Sequence, residues 1–259
     1  MNLVILYPDY LFRGDAMTLP SSASGYDAEN VITGSRQEFY RASSNVNRSS
    51  WPVDCSPLEN EERVPDYLYL GGLNLAIAKS DSASMSVYLK GSTDNMFSVS
   101  TFEQSEADLT LGDLYGRKPE DYVMEISGAS QKRYWRGRIE TGGSGSDFKH
   151  ELRKMYFGQW WYPDCEPDVP KRLTVSLDGE RAQRRTLRLR WRGITNADLF
   201  TFTEKILKHR AYNPVVLYTR TWHSILNSER VFHCWITSFE HERSVHNRNN
   251  ISVEFSEVL

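Results

Sequence analysis

The chain has 259 residues, a formal net charge of −3 and an aromatic content of 12%, including 7 Trp and 14 Tyr. Its length allows one large domain or two ordinary ones, and its aromatic richness favours β structure with a sizeable core. No basic excess marks a nucleic-acid binder, no apolar run reaches the ~18 residues of a membrane span, and three widely spaced cysteines give neither a zinc motif nor a disulfide framework.

In chain order, residues 3–6 (LVIL) read as a first strand stopped by Pro8. They have neither the basic flank nor the cleavage site of a signal peptide. Residues 15–34 are largely loop, and 37–51 carry enough Asn, Ser and Arg to read as exposed loop. Residues 54–63 form an acidic loop. Residues 67–75 (YLYLGGLNL) form a buried strand that runs through two glycines. Alternation at 85–89, 121–126 and 134–139, with a further edge strand at 97–102, predicts a sandwich. After the flexible run at 141–146, residues 151–161 form its last strand. Pro163, Pro167 and Pro170 then make a stiff linker, so the domains are expected at 1–162 and 163–259.

The second part predicts a strand at 173–177, a tight turn at Asp178-Gly179 and a strand at 186–191. In that strand Leu187, Leu189 and Trp191 share a face opposite Arg188 and Arg190. Thr195 or Asn196 can cap a helix at about 197–210, with Leu199, Phe202, Ile206 and Leu207 on one stripe and Glu204 paired with Lys208. Three strands follow, at 215–218, 231–239 and 251–255.

Two stretches carry a family likeness. Ala28-Glu29-Asn30-Val31-Ile32 with Gly34, an aromatic at Phe39 or Tyr40, and a strand ending Gly72-Leu73-Asn74-Leu75 resemble the opening of discoidin-type (galactose-binding-like) β-sandwiches. The variety they most resemble is the one carried by structural proteins of tailed phages. Thr33 stands where Asp is commonest. The order strand pair, helix, VVLY strand and closing NNISVEF strand resembles the belt domain of phage distal tail proteins. The resemblance implies a mainly β chain: an N-terminal discoidin-like jelly-roll sandwich, then a C-terminal β-barrel or sandwich belt domain with one flanking helix. It implies a structural subunit of the virion tail tip, made in the host bacterial cytoplasm. Six copies would close a ring beside the tail tube, hub and tape measure, with the outer domain bracing neighbours or touching host-surface glycan.

The alternative is a carbohydrate-binding protein of discoidin type with no ring-forming role. For it, Tyr26, Arg36, Tyr40 and Trp51 are the candidate contacts, since aromatics stack on sugars and polar side chains meet hydroxyls. Against this, Tyr26 and Tyr40 suit a small core within the loop itself. Interface candidates are Trp160, Trp161, Arg188, Arg190 and Trp222, because Trp and Arg are enriched in protein contacts. If residues 160 and 161 lie in a strand, they point oppositely, so one should face a partner. His209, His223, His233, His241 and His246 form no metal-binding motif, and no phosphate loop, nucleophile elbow or catalytic set appears. No cofactor and no enzymatic activity are expected.

Overall fold

The computed structural model describes residues 3–7, 10, 15–31, 40–43, 48–58, 63–76, 84–110, 120–142, 149–168, 174–178, 182–209, 214–219 and 231–257. The chain is mainly β. Its strands are β1 (Leu3–Tyr7), β2 (Asp15–Ala16), β3 (Tyr40–Arg41), β4 (Arg48–Asp54), β5 (Tyr67–Ala76), β6 (Ser84–Ser92), β7 (Ser100–Thr110) and β8 (Glu120–Glu125). They continue with β9 (Tyr134–Gly142), β10 (Lys149–Leu152), β11 (Lys154–Trp161), β12 (Thr174–Asp178), β13 (Ala182–Thr195), β14 (Val215–Thr219), β15 (Val231–Val245) and β16 (Arg248–Glu257). The α-helix α1 (Asn196–Thr201) continues as a π turn and a 3₁₀ turn to His209.

Two compact units result, Asp9–Gln159 and a unit built from Met1–Pro8 with Trp160–Leu259. The expected division after residue 162 treated residues 1–162 as one piece. The structure differs in placing β1 with the C-terminal half, where Leu3–Leu6 pair antiparallel with Val216–Thr219 of β14. Local pattern identified the strand but not its distant partner.

The Asp9–Gln159 unit is a sandwich of two antiparallel layers. One layer has the order β2-β4-β9-β6-β7. In the other, β5 pairs with β8 on one side and with β10 and β11 on the other, and β10 pairs with β3. Alternation turns Trp51, Val53, Val87, Leu89, Trp135 and Ile139 of the first layer inward. They meet Leu68, Leu70, Met124, Met155 and Phe157 of the second. The run at 37–51, expected as exposed loop, therefore contains β3 and most of β4, with Ser49 and Trp51 buried. Its apolar signal is thin because every second residue faces solvent, and Pro52 interrupts the run.

Gly91 sits where β6 passes over Trp135. A Cβ there would lie 2.8 Å from Cζ3 and 2.9 Å from Cη2 of that ring. Trp135 is fully buried and its Nε1 donates to Arg63 O at 3.0 Å, so the ring has nowhere to go. Gly91→Ala is expected to destabilise the sandwich by about 1–3 kcal/mol through overpacking. A urea midpoint equal to wild type would show that β6 shifts freely and would refute this.

The other unit is an antiparallel sheet ordered β12-β13-β16-β15-β14-β1. Bulges at Arg192/Ile194, Ile236/Ser238 and Arg243/Val245 increase its local twist. Thr195 is the helix N-cap. Its hydroxyl accepts from Asp198 N at 3.1 Å, and the Asp198 carboxylate accepts from the Thr195 backbone N–H, which closes a capping box. The helical stripe buries Phe202 and Ile206 on the sheet. Phe202 stacks on Phe239 at 5.5 Å and lies 4.9 Å from Trp161.

Candidate functional site

The segment that opens the sandwich, residues 21–31, is shaped by short-range backbone bonds. Ser22 bridges Ala42, Ala23 N donates to Arg41 O at 2.8 Å, and Tyr26 N donates to Ala23 O at 3.0 Å. The turn passes through Gly25 at φ 81°, a conformation that glycine adopts without a Cβ clash. A 3₁₀ turn over Ala28–Val31 then buries Ala28 and Val31 against the core.

This folding places a rim over a floor. In the rim, the Arg41 guanidinium lies 4.5 Å from the centroid of the half-buried Tyr26 ring and is ion-paired with Glu151. Glu151 stands opposite Arg41 in the β3–β10 register, so the pair is set by backbone pairing. Asp27 and Ser22 stand nearby, with Ser22 Oγ 3.4 Å from Asp27 Oδ1. In the floor, Tyr40 meets Trp51 edge to face at 5.1 Å, and Trp51 Nε1 donates to Ala28 O at 3.2 Å. Ser49 Oγ lies 3.1 Å from the Tyr40 hydroxyl and 2.8 Å from His150 Nδ1. Buried Lys154 donates from Nζ to Asn30 O at 2.7 Å and anchors the 3₁₀ turn from below.

Burial lowers the His150 pKa to about 4, so the ring is neutral at ordinary pH. Burial raises the Tyr40 hydroxyl, partly offset by its bond to Ser49. Ser49 and His150 are at hydrogen-bond distance but both are sealed from solvent, so no substrate atom reaches the pair. Their role is to satisfy polar groups inside the core.

Of the four expected sugar contacts, Tyr26 lies in the rim, and Arg36 is outside the described residues. Tyr40 and Trp51 are corrected: both are buried, with Trp51 at 0% exposure, and their rings are spent on each other and on the 3₁₀ turn. Arg41 and Glu151 were missed. The only local hint was a charge beside Tyr40, and their pairing depends on strands far apart in sequence.

Among the interface candidates, Trp161 is also corrected. It is buried against Trp191 and Phe202, and its Nε1 donates to Asp198 O at 3.2 Å. Its neighbour Trp160 points the other way and meets Tyr162 at 6.2 Å. Arg188 and Arg190 lie on the exposed face, where Arg188 reaches Glu240 at 2.5 Å and Arg190 reaches Glu242 at 3.4 Å, both across β16. Trp222 is outside the described residues. Among the described residues no three His, Cys, Asp or Glu side chains gather as a metal site. His241 and His246 are exposed, His233 is buried, and burial raises the thiols of Cys55 and Cys234 far above their usual range.

No protein-family model matches the sequence, and no curated protein matches it. Solved structures to which the chain is similar include chitosan-binding module 1 of a chitosanase/glucanase from Paenibacillus sp. IK-5, at 13% identity and TM-score 0.38, covering 58% of this chain and 98% of that one. CBM32-1 of a family 31 glycoside hydrolase from Clostridium perfringens matches at 13% identity and TM-score 0.36, covering 59% and 98%. An F-lectin from Morone saxatilis (striped bass) serum matches at 11% identity and TM-score 0.40, covering 98% and 96%. At such distances no residue's role passes from them to this chain.

Proposed function

We propose that this chain is a non-catalytic carbohydrate-binding protein whose sandwich unit engages a glycan at the Tyr26–Arg41–Glu151 rim. The observation that carries the reading is the half-buried Tyr26 ring held 4.5 Å from a guanidinium that Glu151 fixes in place. A fixed aromatic ring offers an apolar surface to sugar C–H groups, while guanidinium, carboxylate and hydroxyl groups answer the sugar's own hydroxyls. The buried floor keeps the rim rigid, which lowers the ordering cost of binding.

Glycan-array screening followed by calorimetry tests this. Tyr26→Ala and Arg41→Ala are each expected to weaken the best neutral ligand by roughly tenfold or more, the loss of one good contact, with unchanged melting. Failure of any glycan to bind, or full binding by Tyr26→Ala, would overturn the reading.

A second reading is a phage-tail subunit located in the virion, which closes a ring through the β12–β16 unit. It draws support from Tyr162 and Phe200, which are 46% and 64% exposed on that unit. Scattering at the mass of a closed oligomer, lost in Phe200→Glu, would favour it over the first.

A further inference from the structure

The outward face of the β2-β4-β9-β6-β7 layer gathers charges that the loop-end rim does not use. Along β9, Trp135, Gly137 and Ile139 face the core, so alternation turns Tyr134, Arg136, Arg138 and Glu140 outward. The β6 register sets Tyr88 beside Arg138 and Lys90 beside Arg136. The β4 register sets Arg48 beside Glu140. The Arg138 guanidinium lies 4.3 Å from the Tyr88 ring centroid, and the Arg136 guanidinium lies 4.3 Å from that of Phe97.

Four cations stand here against two carboxylates, and only three of them pair. Glu140 Oε1 accepts from Arg48 Nε at 2.5 Å and stands 3.3 Å from Arg138 Nε, off the hydrogen-bond direction. Lys90 Nζ meets Glu103 at 2.5 Å. Arg136 has no carboxylate partner among the described residues. The Nε atoms of Arg136 and Arg138 are buried and have no hydrogen-bond acceptor among the described residues, and Arg138 as a whole is only 6% exposed. Burial, then the nearby Arg138 and Arg48 charges, push the Arg136 pKa below its usual value. With Nε of each guanidinium buried and unmet, the outer N–H groups are what an incoming acceptor would engage on these crowded cations.

We propose that this face is a second binding site, for an anionic saccharide whose sulfate or carboxylate accepts from Arg136 and Arg138 while its ring lies beside Tyr88. Guanidiniums match such oxyanions through paired N–H donors. A nucleic acid is the less suitable occupant, because the chain carries a net charge of −3 and the cluster spans three strands rather than a track. The choice of a saccharide rests on the glycan-binding reading of the sandwich; the choice of an anion rests on this face alone.

Calorimetry on the full chain tests it with a sulfated heparin tetrasaccharide, an oligogalacturonate, neutral cellotetraose, inorganic sulfate and an oligo-dT strand. One or both acidic saccharides are expected to bind more tightly than cellotetraose and sulfate, and to weaken as salt rises. Arg136→Gln is expected to weaken them roughly tenfold or more, the loss of a charge-assisted hydrogen bond, and Arg136→Lys by less. Tyr26→Ala, which tests the rim, is expected to leave acidic binding unchanged, so the two sites fail separately. Acidic sugars binding no better than cellotetraose would overturn the proposal. So would equal binding of sulfate or oligo-dT, full affinity in Arg136→Gln, or loss of acidic binding in Tyr26→Ala.

Discussion

Trp51→Ala is expected to destabilise the sandwich unit by about 3–5 kcal/mol, the range for truncating a large buried aromatic. The indole is completely buried, so its removal leaves a void bounded by Tyr40 and the 3₁₀ turn. It also strips Ala28 O of its 3.2 Å donor in a place water does not readily fill. Urea unfolding followed by circular dichroism, with the two units fitted as separate transitions, reads the effect. Trp51→Phe keeps most of the volume and is expected to recover more than half of the loss. A shift below about 1 kcal/mol in Trp51→Ala would mean that the floor repacks and is not rigid. Any sugar-binding defect in this variant is expected to follow the unfolded fraction, because the ring faces the core and not a ligand.

Acid is expected to cost the same unit about 3 kcal/mol between neutral pH and about pH 4, through His150. In the folded chain burial holds this imidazole at about 4, against the ordinary 6.5 of the unfolded chain. Above 6.5 both states are neutral and the stability is fully present. As pH falls below 6.5 the unfolded state takes up a proton that the folded state refuses, so stability declines. Below about 4 both states are charged and the decline from this group ends. The urea midpoint measured from neutral pH to about 4 checks this, and His150→Gln is expected to flatten the curve over that window. A wild-type midpoint that rises on acidification, or an equally steep fall in His150→Gln, would assign the effect to other groups.

What could be read from the residues was local. The helix was legible because its cap candidates Thr195 and Asn196 and the stripe Leu199, Phe202, Ile206 and Leu207 lie within a few turns of one another. The face shared by Leu187, Leu189 and Trp191 was legible for the same reason, and all three are buried. The strand around Trp51 was hidden because its inward set includes Ser49, a polar residue made tolerable only by His150 and Tyr40. The rim was half legible: Tyr26 lies in the turn that the motif marks, whereas Arg41 meets Glu151 only once β3 and β10 pair. Likewise Arg188 was visible as a surface residue, but its partner Glu240 depends on a bulged register two strands away. Alternation tells which way a side chain points; it does not tell what it finds there.

The pairing of β1 with β14 has a bearing on biosynthesis. During translation β1 emerges well ahead of β14, so the edge that pairs with Val215–Thr219 stays vacant until that strand has been made. The entire Asp9–Gln159 segment is made in that interval, so it sits in the gene as an insert within the other unit. It can fold while the other unit is still a fragment, so this nascent chain is expected to mature inside-out rather than front to back.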